Sequence, residues 1–168
     1  MPGPDGAEEF RKAAAYALRA LARRDLSEGE LRDRLSRRGV PGPVIERVIG
    51  LCREYGYLDD ARLAQGLVRS RSGRRGRFAV QRELRRRGVS AAAAGAALSG
   101  LTPDREREAA RELLLERLPR LAGPGARRKA FGLLVRRGYG TEIAAELVAE
   151  LVAEDQPSRK EPDAGSRG

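Results

Sequence analysis

From Phe10 onward, apolar residues recur every three or four positions. Phe10, Ala13, Ala14, Ala17, Leu18 and Leu21 fall on one stripe, as they would on a helix packed along one face. A second stripe, Val44, Ile45, Val48, Ile49, Cys52 and Tyr55, follows Pro43, a residue suited to a first helical turn. Leu63, Ala64, Leu67 and Val68 form a third, and Ile143, Ala144, Leu147, Val148, Leu151 and Val152 form the last. The polar positions between them punctuate helices. Ser27 and Glu30 have the spacing of a capping box, opening a helix that ends near Arg38. Asp59 or Asp60, Ser90, Thr102-Pro103 and Thr141 are placed to open others. Gly73 and Gly76 break the chain before a helix from about Arg77 to Arg87, and Gly123-Pro124-Gly125 ends another segment. No stretch alternates in the manner of a strand, so the expected class is all-α.

One phrase occurs three times: Leu35-Ser36-Arg37-Arg38-Gly39-Val40, Leu84-Arg85-Arg86-Arg87-Gly88-Val89, and Leu134-Val135-Arg136-Arg137-Gly138-Tyr139. Each ends a predicted helix. The arginines face the negative end of its dipole, and the glycine is placed for a left-handed cap followed by an apolar residue. Apolar residues recur at matching offsets beyond each glycine: Val44, Ala93 and Ile143, then Val48, Ala97 and Leu147. A spacing near 50 leaves room for three helices per unit. The chain is therefore expected to hold three tandem three-helix repeats, each resembling a helix-turn-helix.

Composition narrows the function. Leu, Ile, Val and Phe together supply only 36 of 168 residues, so the helices must pack largely on alanine. The chain has no His, no Trp and one Cys. That excludes Cys/His zinc sites, Ser-His-Asp and Cys-His catalysis, and an intrachain disulfide. Cys52 lies on an apolar stripe and reads as core. Asp59-Asp60 is the one local carboxylate pair, and its position at a helix start reads as a cap. Gly73-Arg74-Arg75-Gly76 lacks the Lys-Ser/Thr of a nucleotide loop. The expectation is no enzyme, no cofactor and no metal. The N-terminus has no apolar stretch, and the run Ala91–Leu98 is far too short to span a bilayer. A cytoplasmic monomer without a membrane partner is expected.

The formal net charge is +10, and it is concentrated. Residues 69–87 hold nine Arg against Glu83 alone, a local net charge of +8. Like charges this dense oppose folding unless a partner is gained, and such a field attracts polyanions. Arg69, Arg71, Arg74, Arg75, Arg77, Arg82, Arg85 and Arg86 are the candidate contacts to a phosphate backbone or an acidic protein surface. Arg74, Arg75 and Arg77 flank a glycine-bounded turn and are expected to be exposed. With only seven aromatic residues, a base-stacking platform is not expected.

Taken in order, these phrases resemble the RecX family, bacterial regulators of the RecA recombinase. The matching residues are Leu26-Ser27-Glu28-Gly29-Glu30-Leu31, Gly56-Tyr57-Leu58-Asp59-Asp60-Ala61-Arg62-Leu63-Ala64, Gly76-Arg77 leading to Arg87-Gly88-Val89, and Leu134 to Tyr139. Leu63 and Tyr139 stand where the family often has Phe. The resemblance implies three tandem three-helix repeats in an elongated, curved body; the helix pattern places them at 10–57, 58–101 and 102–154, and composition predicts disordered tails at 1–9 and 155–168. The resemblance also implies binding to RecA filaments on DNA, with single- or double-stranded DNA as a further partner, and suppression of strand exchange, ATP hydrolysis and coprotease activity. The rival reading, on charge alone, is a sequence-nonspecific DNA-binding protein.

Overall fold

The structure is a computed structural model and describes residues 4–121 and 123–152. The described residues form nine α-helices and one short 3-10 turn, with no strand. The helices are α1 (Pro4–Leu21), α2 (Glu28–Ser36), α3 (Gly42–Glu54), α4 (Asp60–Arg71), α5 (Arg77–Arg86), α6 (Ala91–Leu98), α7 (Pro103–Arg117), α8 (Ala126–Arg136) and α9 (Thr141–Leu151). The well-populated helix–helix contacts fall inside the sets α1–α3, α4–α6 and α7–α9. Each set has its own core. Ala17, Leu31, Leu35, Val48 and Ile49 centre the first, Ala64, Val80 and Leu84 the second, and Ala110, Leu114, Leu134 and Leu147 the third.

Alanines and leucines close these cores together. Ala17, Ala64, Ala110, Ala130 and Ala144 are fully buried, which lets short helices approach closely around a few leucines. The three recurrent phrases make the same turn. Gly39, Gly88 and Gly138 have φ of 75°, 67° and 86°. The amides of Val40, Val89 and Tyr139 donate to the carbonyls of Leu35, Leu84 and Leu134 at 3.1–3.2 Å. Each turn is a Schellman motif, with its apolar residue folded back on the helix it ends.

Most predicted caps are present. Ser27 and Glu30 form both halves of the capping box, and Asp59, Ser90 and Thr102 cap α4, α6 and α7. Four expectations are corrected. The first helix starts at Pro4, so residues 4–9 are helical and not a disordered tail. Proline is favoured at a first helical position, and Glu8 pairs with Lys12 one turn on. The cap of α9 is Gly140, and Thr141 is already inside the helix. Tyr55 and Leu18 belong to helical stripes by spacing but are exposed: Tyr55 lies just past the end of α3 and stacks on Tyr57, and Leu18 lines a shallow cleft with both rings. The fourth is Arg77, which is half-buried and not exposed. Residues 1–3 and the expected tail at 155–168 lie outside the described residues.

Tyr139 carries a polar atom without a partner. Only 2% of the residue is exposed, and its Oη has no hydrogen-bond partner. Burial, with the nearby Glu106 carboxylate, pushes its hydroxyl up from the ordinary 10.0 to about 12. The folded state thus favours the neutral hydroxyl. The stability this represents is complete below pH 10 and is lost as pH climbs toward about 12. Tyr139→Phe is expected to raise stability by about 1 kcal/mol at neutral pH, since an unsatisfied buried hydroxyl is removed. It is also expected to flatten the alkaline loss. Urea unfolding at pH 7 and above pH 10 checks both, and a destabilised variant would show the hydroxyl to be satisfied.

Candidate partner-binding surface

The repeats meet at two joints built on one plan. At the first, the N-terminus of α2 abuts the Arg-Arg-Gly turn after α5. The Ser27 hydroxyl donates to the Arg87 carbonyl, and Glu28 N donates to Asp60 Oδ1 at 2.9 Å. At the second, the N-terminus of α5 abuts the turn after α8. Gly76 N donates to the Arg137 carbonyl at 3.0 Å, and Arg77 N to Glu106 Oε1 at 2.9 Å. Asp60 and Glu106, from the first helices of the next repeats, are the two buried acids among the described residues. Each satisfies an amide that the helix itself leaves orphaned.

The last arginine of the second and third phrases reinforces its joint. Arg87 reaches back to the Asp25 carbonyl at 3.0 Å and to both oxygens of Glu30. Arg137 reaches back to the Arg74 carbonyl at 3.2 Å. Arg38, with no preceding repeat, lies over the Tyr16 ring at 4.1 Å. Burial works to raise the pKa of Glu30, but hydrogen bonds from Arg87, the Ser27 amide and Arg24 hold it below the usual carboxylate range. These three positions of the phrase are therefore structural.

Asp60 does more than cap its neighbour. Its Oδ2 also accepts from Ser90 N at 2.9 Å, so one carboxylate ties α2 of the first repeat to α6 of the second. Asp60→Ala leaves two helix-terminal amides without an acceptor. The expected cost is about 2–3 kcal/mol, with Asp60→Asn intermediate. Thermal unfolding checks the order, and equal melting temperatures for Asp60→Ala and the parent would remove the bridge from the account.

The eight candidate arginines divide into two groups. Arg71 is paired with Glu83 through Nε and Nη2 at 3.3 and 3.1 Å, which holds the Glu83 carboxyl below its usual range. Arg77 is half-buried, and its Nη1 donates to the carbonyls of Leu98 and Leu101 at 2.8 and 3.2 Å. Its side chain thus finishes α6, and the expectation that it is exposed is corrected. Arg69, Arg74, Arg75, Arg82, Arg85 and Arg86 are exposed and make no ion pair among the described residues. Arg82, Arg85 and Arg86 share the outer face of α5, being three and four residues apart. Arg74 and Arg75 stand on the turn before it. Arg62 and Arg105, exposed near the starts of α4 and α7, line clefts that Arg69 also lines, Arg105 together with Arg75. Both lie outside the dense run, so charge density does not single them out, and Arg62 stands out only within the phrase Gly56 to Ala64.

The first two repeats have counterparts among known domains. The RecX first three-helix domain matches residues 13–50, and the RecX second three-helix domain matches residues 59–98. The chain is 40% identical over 172 residues to the regulatory protein RecX of Thermobifida fusca (strain YX), covering 95% of this chain and 93% of that protein. The chain belongs to the RecX family. It is 38% identical over 158 residues to the regulatory protein RecX of Deinococcus radiodurans, covering 91% of this chain and 76% of that one. The crystal structure of RecX from Lactobacillus salivarius has the same fold, with a TM-score of 0.76 at 20% identity over 86% of this chain and 97% of that one. The RecX relatives are named as regulatory proteins. Among the described residues no group of His, Cys, Asp and Glu is placed to hold a metal ion, and no helix is long and apolar enough to cross a membrane.

Proposed function

We propose that this RecX-family protein binds filaments of the RecA recombinase on DNA and restrains their strand exchange, ATP hydrolysis and coprotease activity. It acts without chemistry of its own, as a cytoplasmic monomer. The observation that carries this reading is the row of exposed, unpaired arginines on the turn before α5 and on its outer face. They are held on a body whose joints repeat. A filament offers the same protomer surface again and again, and tandem units, taken as 4–57, 58–101 and 102–154, suit contact with consecutive protomers. Arg69, Arg74, Arg75, Arg82, Arg85 and Arg86 are proposed as direct contacts, and Arg71 and Arg77 as residues that hold the surface in shape.

Nonspecific DNA binding is the competing reading, since the same arginines fit phosphates. The two differ in what coats the DNA. A filament regulator binds recombinase-coated single-stranded DNA more tightly than bare DNA at equal salt. A nonspecific binder prefers the bare strand, with affinity falling steeply as salt rises. Fluorescence anisotropy of labelled protein on both substrates separates them. Tighter binding to the bare strand would refute the proposal.

A further inference from the structure

Each joint leaves an open cleft beside it, and the two clefts are alike. The first, about 550 Å³, lies between the Arg24–Leu26 segment and α4, with Leu26, Leu63 and Leu67 beside Arg24, Arg62 and Arg69. The second, about 300 Å³, lies between α4, the turn before α5 and α7, with Val68, Leu101 and Ala109 beside Arg69, Arg75 and Arg105. Arg69, on the last turn of α4, lines both. Arg62, Arg69, Arg75 and Arg105 are exposed and form no ion pair among the described residues.

The acids in the clefts are largely spent elsewhere. Asp59 accepts from Arg62 N at 2.8 Å, and Glu106 from Arg77 N. Asp25 remains in the first cleft, set against Arg24, Arg62, Arg69 and Arg87. Each cleft therefore pairs surplus positive charge with a small apolar floor, half-buried Leu63 over Leu26 and Leu67 in the first and half-buried Leu101 and Ala109 beside Val68 in the second. A phosphodiester backbone would satisfy the arginines but offers only its sugar edges to Leu63, Leu101 and Ala109. The one aromatic ring in the first cleft is Tyr57, too little for base stacking. A polypeptide that mixes carboxylates with apolar side chains satisfies the arginines and the apolar floor at once.

We propose that the two joint clefts form one docking trough for an acidic polypeptide segment bearing apolar side chains, with Arg69 as the contact shared between them. The proposal rests on the filament reading above and assigns the segment to the recombinase. Gly66 lines the first cleft, and a Cβ there meets nothing within 4 Å. The native thiol, Cys52, is buried. Gly66→Cys can therefore carry a benzophenone maleimide without competing label. The labelled full-length protein is mixed with recombinase filaments on single-stranded DNA, irradiated and digested for mass spectrometry. Adducts are expected on recombinase peptides containing Asp or Glu beside Leu, Ile or Val. Adding Arg62→Glu and Arg69→Glu is expected to lower adduct yield at least tenfold, with Arg11→Glu and Arg19→Glu as the control that does not. Adducts on the DNA, on recombinase peptides without acids, or none at all from protein that still co-sediments with filaments would overturn the trough. Failure of the unlabelled parent to co-sediment would sink the filament reading, and the trough with it.

Discussion

Reversing Arg74, Arg75 and Arg86 together to Glu lowers affinity for the recombinase filament by at least about a hundredfold and leaves the thermal unfolding midpoint in place. All three are exposed, and none forms an ion pair among the described residues, so the fold loses little. The triple change turns a net charge of +8 over residues 69–87 into +2. A charge-assisted contact to a carboxylate or phosphate contributes about 1 kcal/mol or more, and each new Glu adds repulsion to the loss. Three such contacts amount to about 3 kcal/mol, which is the hundredfold. Arg77 is left intact because its guanidinium holds the end of α6, and changing it would confuse binding with stability. The control is Arg11, Arg19 and Arg23 to Glu, three exposed arginines on and just after α1. Anisotropy titration of both triple variants decides the matter. Equal losses would mean that total charge, and not this face, drives association.

Gly138→Ala is expected to be far more damaging than the same methyl at Gly39. The residue sits at φ 86°, which costs an L-residue about 1–2 kcal/mol. Its Cβ would also overlap the Ala79 side chain and lie 2.5 Å from the Ala79 backbone nitrogen. That clash falls on the joint where α5 abuts the turn after α8, and overpacking of this kind costs about 1–3 kcal/mol. A total near 3 kcal/mol is expected. Gly39 makes the same turn at φ 75°, but a Cβ there meets nothing within 4 Å. Gly39→Ala should therefore cost only the conformational part, about 1 kcal/mol. Urea unfolding of the two variants measures the difference, and equal midpoints would show that the second joint yields without cost.

The internal repeat carried most of the fold. Leu35, Leu84 and Leu134 announce three helix ends because the Schellman turn needs its glycine, its apolar follower and its partner leucine within six residues. The capping box at Ser27 and Glu30 is legible for the same reason, since its chemistry is complete within four residues. The joints were not legible. Asp60 serves amides 32 and 30 residues away, and Glu106 one 29 residues away, distances over which a sequence pattern carries no register. The same limit explains Arg77, whose acceptors at Leu98 and Leu101 come near only after the second repeat closes. Charge density located the basic face but not the division of labour within it. Nothing in the composition separates Arg71, paired with Glu83, from Arg69 two residues earlier. Pro4 was masked as a helix start by the acidic, glycine-bearing residues around it, where no apolar stripe has yet begun.

The most direct test of the central claim is the ATPase rate of the recombinase on single-stranded DNA, measured as this protein is titrated in. ATP hydrolysis is expected to fall at stoichiometric or lower ratios of protein to recombinase. The Arg74/Arg75/Arg86→Glu variant should need a far higher concentration for the same effect. An unchanged ATPase rate at stoichiometric protein, with the filament intact, would contradict it.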